Sequence, residues 1–240
     1  MKAFNKTKKV IILFGPPGAG KGTQASLLAE KFNLYYFETS KILEQKFKES
    51  LEEVFIIDGK KYSVLKEKEL WEQGILCSPP FVTFLVKENI KKLAEEGKSL
   101  ILAGSPRTVY EGEKIIPLLK DLYGQENIKV FLIEISSKET IFRNSHRKIC
   151  ELLRHPILYN KETEKLTICP LDGSKLLKRE GLDDPETIKK RLVEYKNRTI
   201  PIIEIFKRQG IKIKKVNGEQ NVVDVFKDIS KELENKKIKK

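Results

Sequence analysis

The feature that most constrains the fold is a glycine-rich turn between an apolar run and a segment of helical composition. The apolar run extends from Val10 to Phe14, the turn from Gly15 to Gly20, and the helical segment begins at Lys21. A strand, loop and helix in this order direct backbone N–H groups and the positive end of a helix dipole to one point, where a lysine adds an ammonium group. The stretch therefore predicts a phosphate-binding loop at the end of a strand.

The spacing of this turn matches the P-loop pattern, Gly15-x4-Gly20-Lys21, with one departure. Gly22 stands where the pattern has a hydroxyl residue, and the hydroxyl follows as Thr23. Nucleotide phosphates are the expected ligand, and Thr23 is placed to contact Mg²⁺ or a β-phosphate. The alternative is a glycine-rich turn without a ligand, but the order of strand, glycines, lysine and hydroxyl favours the phosphate loop.

Length, hydrophobicity and cysteine content restrict the class of protein. The chain has 240 residues, of which 40% are hydrophobic, enough for one large α/β domain with insertions or for two small domains. No apolar run approaches the roughly 18 residues of a membrane-spanning helix, and the N-terminus lacks a signal-peptide core. We therefore expect a cytoplasmic protein without a membrane partner. Three cysteines, Cys77, Cys150 and Cys169, do not favour a disulfide framework.

The charge of the chain is strongly basic, with a formal net charge of +13. Such a charge would suit a polyanion, including nucleic acid. The lysines are nevertheless spread along the chain and concentrated at its ends, as on solvated faces, so we expect no nucleic-acid partner. Arginine is rare, and its positions matter because a guanidinium can bind a phosphate in a bidentate way. The arginines stand at positions 107, 143, 147, 154, 179, 191, 198 and 208.

The order of predicted elements is that of an α/β protein. Core strands are predicted at 10–14, 34–37, 99–103, 130–135 and 211–216. Helices are predicted at 21–32, 41–50, 66–73, 81–96, 109–122, 137–149, from 184 onward and at 221–235, with a hairpin at 54–65 and an irregular segment at 150–180. Alternating strands and helices indicate a parallel sheet covered on both faces.

Some local details of these helices are also predicted. The helix at 137–149 would carry Arg143 and Arg147 on one face, because the two residues are four positions apart. Thr39 or Ser40 is a candidate cap for the helix at 41–50. Asp184, followed by a proline, is typical of a helix start.

Four motifs give the chain a resemblance to a known family. They are GPPGAGKGTQ at 15–24, GSPRT at 104–108, RNSHRKIC at 143–150 and LLKREGLDDPETIKKRLVEYKNRTIP at 176–201. Together they resemble the adenylate kinase family of P-loop nucleoside monophosphate kinases over nearly the whole chain. The resemblance implies a P-loop NTPase fold, with a three-layer arrangement of a parallel sheet and helices on both faces. It places the core at 1–38, 78–146 and 184–240, a nucleoside-monophosphate-binding insert at 39–77 and a lid at 147–183.

The same resemblance implies the residues of a donor site for ATP, which would bind together with Mg²⁺. The implied ATP-binding residues are Gly18, Ala19, Gly20, Lys21, Gly22, Thr23, Arg143, Arg147 and Tyr159. Among them, Arg143 would lie against the adenine. The implied catalytic residues are Lys21, Arg107, Arg147, Arg179 and Arg191. Asp183 and Asp184 match the acidic pair that ties the closed lid in this family.

The acceptor site that the resemblance implies departs from the family pattern. Its residues are Thr39, Lys41, Glu44, Ile75, Cys77, Gly104, Arg107 and Glu111, with Arg107 on the acceptor's phosphate. Glu44 replaces an arginine that grips this phosphate, and Lys41 or Lys48 could restore the positive charge. Ala103 replaces an aspartate that helps to organise Mg²⁺. Glu111 replaces the glutamine that reads the acceptor base, and an ionised carboxylate can only accept hydrogen bonds.

The expected activity is transfer of the γ-phosphoryl group of ATP to a nucleoside monophosphate, with AMP as the first candidate. A monophosphate is already an anionic nucleophile, so positioning and charge neutralisation suffice and no general base is needed. The alternative, which Glu44, Ala103 and Glu111 motivate, is a weak or inactive relative that senses ATP or ADP. We expect a monomer whose partners are ATP and the monophosphate.

A second departure lies in the predicted lid. Cys150-x2-Leu153 and Cys169-x2-Asp172 resemble the zinc-binding lid of the family, but Leu153 stands at one of the ligand positions. His155 could supply a fourth ligand, which a structural zinc site requires. We expect a lid that packs without metal, and structural zinc is the alternative.

Overall fold

The computed structural model describes residues 8–154, 156–179 and 183–234. The strands are β1 (Val10–Phe14), β2 (Tyr35–Phe37), β3 (Val54–Ile57), β4 (Lys60–Ser63), β5 (Leu100–Ala103), β6 (Ile128–Glu134), β7 (Lys148–Cys150), β8 (Pro156–Ile157), β9 (Leu176–Leu177) and β10 (Ile213–Asn217). The helices are α1 (Lys21–Phe32), α2 (Thr39–Glu49), α3 (Val64–Glu72), α4 (Pro79–Glu95), α5 (Val109–Tyr123), α6 (Ser137–Ser145), α7 (Pro185–Glu194), α8 (Ile202–Arg208) and α9 (Val222–Glu234). A 3₁₀ turn lies at Gln125–Asn127 and a π-helical turn at Tyr195–Thr199.

A five-stranded sheet with the order β10-β6-β1-β5-β2 forms the centre of the fold, and all its pairings are parallel. Strand β1 lies in the middle, where Ile12 is level with Leu102 on one side and Val130 on the other. Strands that are buried on both faces require continuous apolar sequence, and all five residues of β1 are buried. The predicted α/β fold with helices on both faces of a parallel sheet is confirmed.

Helices cover the two faces of this sheet with separate hydrophobic clusters. Val10, Ile12 and Phe14 pack in a cluster with side chains of α4, α5 and α8. Ile11 and Leu13 point to the opposite face and pack in a cluster with α1 and α9. Burial of each large side chain contributes about 1.5–3 kcal/mol to the free energy of unfolding, so the two clusters hold the carboxyl end of β1 in a rigid frame.

Two additional units come from the segments between core elements. Between β2 and α4 lie α2, the antiparallel hairpin of β3 and β4, and α3. The hairpin turns at Asp58 and Gly59, which both have positive φ as a two-residue hairpin turn requires. Between α6 and α7 lies a small antiparallel sheet with the order β8-β7-β9. None of the helices in the described ranges has the length and hydrophobicity to span a bilayer.

Some local predictions differ from the structure. Helix α6 ends at Ser145 instead of 149, and Arg147 therefore follows the helix that carries Arg143. The reason is tertiary: Ile149 and Cys150 are buried in the small antiparallel sheet, and this packing overrides a helical sequence pattern.

The predicted helix caps have different outcomes. Glu38 occupies the N-cap position of α2, and neither Thr39 nor Ser40 does. The hydroxyl of Ser40 instead donates to the carboxylate of Glu38 at 3.1 Å. The prediction for α7 is confirmed, because Asp184 accepts a hydrogen bond from the Thr187 N–H at 2.9 Å.

Candidate active site

The glycine-rich loop connects the buried end of β1 to the first turn of α1. Gly18 and Gly20 have φ of 81° and 83°, and a Cβ atom on Gly18 would lie 2.6 Å from the Asn144 side-chain nitrogen. Both features require glycine. Gly20 is the N-cap residue and provides no side-chain cap, so the first N–H groups of α1 point toward the loop as in an anion site.

The remaining loop residues fit this arrangement. Ala19 is buried, with its N–H donating to the Pro16 carbonyl at 3.2 Å. Gly22 is exposed, and Thr23 is half-buried on the first turn of the helix. Lys21 folds back onto the loop, where its ammonium donates to the carbonyl of Gly15 at 2.7 Å and to that of Pro16 at 2.8 Å.

Three arginines surround this lysine. The pKa of Lys21 lies well below its usual range, first because of burial and then because of repulsion by Arg107, Arg191 and Arg147. The four cations come from α1, the loop after β5, the segment after α6 and helix α7. A cluster of this kind stabilises an anion that enters it, because the anion relieves both the repulsion and the loss of hydration.

Three of the implied catalytic arginines, Arg147, Arg179 and Arg191, lie close together, and we call this cluster the clamp. Burial, followed by repulsion from Arg179, lowers the pKa of Arg147 to about 10 and that of Arg191 to about 9. Arg179 forms a two-pronged ion pair with Asp183, at 2.9 Å to one carboxylate oxygen and 2.6 Å to the other. The side chain of Asp183 is 1% exposed. Asp183 thus holds Arg179 in a fixed orientation within the clamp.

Two predicted ATP contacts lie on or beside α6. Arg143 donates to the carboxylate of Glu139 at 2.6 Å and is half-buried. The ring of Tyr159 lies 4.4 Å from the His146 ring and 5.5 Å from that of Phe142. These contacts place Tyr159 next to the helix that carries Arg143.

Three of the predicted acceptor residues, Gly104, Cys77 and Glu111, lie close to Arg107. A Cβ atom on Gly104 would lie 2.8 Å from a terminal nitrogen of Arg107, so the guanidinium crosses the bare backbone of this glycine. Cys77 is buried near both Arg107 and Glu111. Burial, with the charge of Glu67 as the next cause, raises the pKa of Cys77 to about 12, and the thiol is therefore protonated at neutral pH.

Other acceptor candidates have local partners. Lys41 lies 3.4 Å from the carboxylate of Glu38 and its side chain is largely exposed, as is that of Lys48. Glu44 is half-buried on α2. Thr39 is buried, and its hydroxyl has no hydrogen-bond partner within the described ranges. Ile75 is half-buried and donates its N–H to the Leu70 carbonyl at 3.0 Å.

Glu111 is turned into the protein. Its carboxylate accepts hydrogen bonds from the Ser105 hydroxyl at 3.2 Å, the Arg107 N–H at 3.0 Å and the Thr108 hydroxyl at 3.1 Å. Burial raises its pKa, and the hydrogen bonds and the charge of Arg107 act in the opposite direction. The spacing Thr108-x-x-Glu111 before an apolar run is a capping-box signal in the sequence, which predicts such an inward carboxylate.

The structure also contains functional contacts that the sequence analysis did not identify. The hydroxyl of Thr199 donates to the carbonyl of Arg107 at 2.8 Å. The buried carboxylate of Glu67 accepts from the Ser78 N–H, at the start of α4, at 2.7 Å. Asn144 supports the loop at Gly18. The contacts of Thr199 and Asn144 join elements that are distant in the sequence, and that of Glu67 joins the consecutive helices α3 and α4; no motif of the sequence indicates any of them.

Three of the residues of the alternative zinc site lie together at the small antiparallel sheet. The ligand atoms of Cys150, Cys169 and Asp172 lie within 4.8 Å of one another. The thiol of Cys150 donates to the Asp172 carboxylate at 2.9 Å. Leu153 is 62% exposed, and His155 lies outside the described residues. Within the described residues this group offers three donors, one fewer than a closed tetrahedral zinc site takes.

Comparison with known proteins agrees with this geometry. A family model described as Adenylate kinase matches residues 13–211. The adenylate kinase of Oceanobacillus iheyensis is 34% identical over 94% of this chain and 99% of its own length. That of Caldicellulosiruptor bescii is 34% identical over 93% of this chain and 98% of its own length, and that of Staphylococcus aureus (strain Mu50) is 32% identical over 91% and 96%. The chain therefore belongs to the adenylate kinase family and is a phosphotransferase that uses a phosphate group as acceptor.

Proposed function

We propose that the protein transfers the γ-phosphoryl group of ATP to a nucleoside monophosphate, and that AMP is an acceptor. The observation that carries the proposal is the convergence of Arg107, Arg147 and Arg191 on Lys21. Phosphoryl transfer between two phosphates requires a cationic site that holds both substrates in line. A monophosphate brings its own nucleophilic oxygen, so this cluster needs no general base.

At the donor side, the backbone N–H groups from Gly18 to Thr23 would hold the ATP phosphates at the start of α1. Lys21 would exchange its two carbonyl partners for phosphate oxygens. Thr23 is the residue placed to contact Mg²⁺, which neutralises phosphate charge when it binds with ATP. Arg143 and Tyr159, which lie on and beside α6, would contact the adenosine of ATP.

At the transferring group, Arg147, Arg179 and Arg191 would stabilise the charge that develops on the phosphoryl oxygens. Asp183 already orients Arg179 through its two hydrogen bonds. Asp184 caps α7, which carries Arg191. We propose that the lid at 147–183 closes on this clamp and excludes water. For the core and the insert we propose the boundaries that the resemblance implies.

At the acceptor side, Arg107 would bind the monophosphate. Thr39, Gly104, Ile75 and Cys77 would form the wall of its pocket. Glu44 adds a carboxylate to α2 where the family has an arginine, and Lys41, one turn away, is shared with the carboxylate of Glu38. We therefore expect the KM for the acceptor to be high, since fewer cations hold its phosphate.

The experiment is a coupled assay with Mg-ATP as donor and AMP, GMP, CMP, UMP and dTMP as acceptors, each over a range of concentrations. We expect formation of ADP and a nucleoside diphosphate with AMP. Analytical ultracentrifugation of the same sample tests the expected monomer. ATP binding by calorimetry without product from any of the five acceptors would contradict the proposal and favour a nucleotide sensor.

A further inference from the structure

The carboxylate of Glu111 is in the wrong orientation to read an acceptor base. The residue is 3% exposed, and its oxygens already accept hydrogen bonds from three donors of the turn Ser105–Thr108. A group that must recognise a substrate edge needs free hydrogen-bonding capacity at the surface of the pocket. Glu111 instead organises the turn between β5 and α5.

The main chain of Arg107 is held from both sides. Its N–H donates to Glu111 at 3.0 Å, and its carbonyl accepts from the Thr199 hydroxyl at 2.8 Å. Thr199 is buried in the π-helical turn that follows α7. The guanidinium passes over Gly104, where a side chain would collide with it. The base of the Arg107 side chain is thus fixed, and within the described ranges no ion pair occupies its charged end.

We propose that Glu111 is a positioning residue for Arg107, and that Glu111 and Thr199 together set the position of this guanidinium for the acceptor's phosphate. The inference rests on the proposed function. It replaces the prediction that Glu111 reads the acceptor base. Because Glu111 acts through the phosphate-binding arginine, its contribution must be the same for acceptors with different bases.

The chemistry of the turn explains why a carboxylate suits this position. A carboxylate accepts hydrogen bonds at both oxygens, whereas an amide has one accepting oxygen and a nitrogen that only donates. Two of the three donors, the Ser105 hydroxyl and the Arg107 N–H, contact one carboxylate oxygen, and the Thr108 hydroxyl contacts the other. A glutamine with its N–H₂ group at the first position leaves the Arg107 N–H without an acceptor. With the amide turned over, the Thr108 hydroxyl has to accept a hydrogen bond instead of donating one and loses the acceptor for its own proton, so either orientation weakens the turn.

The test uses Glu111→Gln and Thr199→Val in the full chain. We expect kcat/KM to fall by about tenfold, which corresponds to about 1.4 kcal/mol, and by the same factor for every monophosphate that the wild type phosphorylates. For a monophosphate that the wild type binds without turnover, calorimetry should show the same tenfold loss of affinity. The KM for ATP should stay unchanged, and the KM for each acceptor should rise. A loss confined to one base, or a changed order of preference among the bases, would overturn the inference.

The matched control is Glu113→Gln, on the same helix but exposed to solvent, which should leave all these constants unchanged. Circular dichroism checks that each variant is folded. If Glu111→Gln is unstable, Ser105→Ala replaces it in the test, because this variant removes one hydrogen-bond donor to Glu111. If the wild type transfers phosphate to no acceptor, the proposed function fails separately. Calorimetry of monophosphate binding then decides: an equal loss for every base supports the role of Glu111, and unchanged affinity refutes it.

Discussion

Burial and, after it, repulsion by the guanidinium of Arg107 lower the pKa of Lys21, although Lys21 and Arg107 follow different strands of the sheet. Lys21 follows β1 and Arg107 follows β5, and these strands are neighbours in parallel register. Parallel neighbours end at the same edge, so loops that are remote in the sequence meet there. The donor and acceptor phosphates would meet in the same way.

Replacement of Lys21 by alanine should abolish phosphoryl transfer. The ammonium is the loop's own cation, and removal of one preorganised donor to the transferring group costs about 10²–10³-fold in kcat. The measurement is the steady-state rate of ADP formation. Lys31→Ala, at the other end of α1, is the control and should keep wild-type activity; wild-type turnover in Lys21→Ala would refute the P-loop role.

Replacement of Arg107 by alanine should raise the KM for the monophosphate at least about tenfold and change the KM for ATP little. Arg107→Lys should restore only part of the loss, because an ammonium cannot form the bidentate contact of a guanidinium. Initial-rate kinetics with both substrates varied separate the two constants. Arg208→Ala, a largely exposed arginine on α8, is the control. An unchanged acceptor KM in Arg107→Ala would remove this residue from the acceptor site.

Replacement of Arg147 by methionine should stabilise the ligand-free protein while it abolishes activity. Burial and repulsion lower the pKa of Arg147 to about 10. The charge of Arg147 therefore destabilises the folded protein at every pH at which this residue is protonated in both the folded and the unfolded state. At pH 7 we expect the free energy of unfolding to rise by about 1 kcal/mol. The gain should shrink as the pH rises through 10, because the folded wild type then releases this proton before the unfolded chain does.

Urea denaturation between pH 7 and 10.5 measures this difference for Arg147→Met. The control is Arg154→Met, whose side chain is exposed. Inorganic tripolyphosphate should raise the Tm of the wild type more than that of Arg147→Met, because the polyanion relieves the repulsion. A lower stability of Arg147→Met at pH 7 would show that the charge is fully compensated in the free protein.

The lid should need no zinc in the wild type and should acquire a zinc site in Leu153→Cys. Three ligands are assembled at Cys150, Cys169 and Asp172, and a cysteine at 153 would complete a Cys-x2-Cys pair. Metal analysis of protein purified without added zinc should find little zinc in the wild type and about one ion per chain in the variant, with a higher Tm. One zinc per wild-type chain would show that another residue supplies the fourth ligand.

The sequence predicts the core elements well, because a strand that is buried on both faces of the sheet needs a continuous apolar run, and such a run is visible in the sequence. The strand at Val10–Phe14 and the helix from Lys21 have the predicted bounds. The end of α6 differs, because β7 draws Ile149 and Cys150 into another sheet. A helical period within 137–149 cannot indicate the competing partners, because these lie beyond the segment, at Pro156 in β8 and at Leu176 and Leu177 in β9.

The amino-acid sequence alone determined the α/β class, the phosphate loop and the family. These features depend on apolar runs, glycines and a lysine that lie close together in the sequence, so local spacing is enough to identify them. Only the tertiary structure decided how the distant groups combine. It brought the Thr199 hydroxyl to the Arg107 carbonyl and gathered Arg107, Arg147 and Arg191 around Lys21. These relationships depend on the strand order and on how the helices pack on the sheet, and neither can be inferred from local spacing.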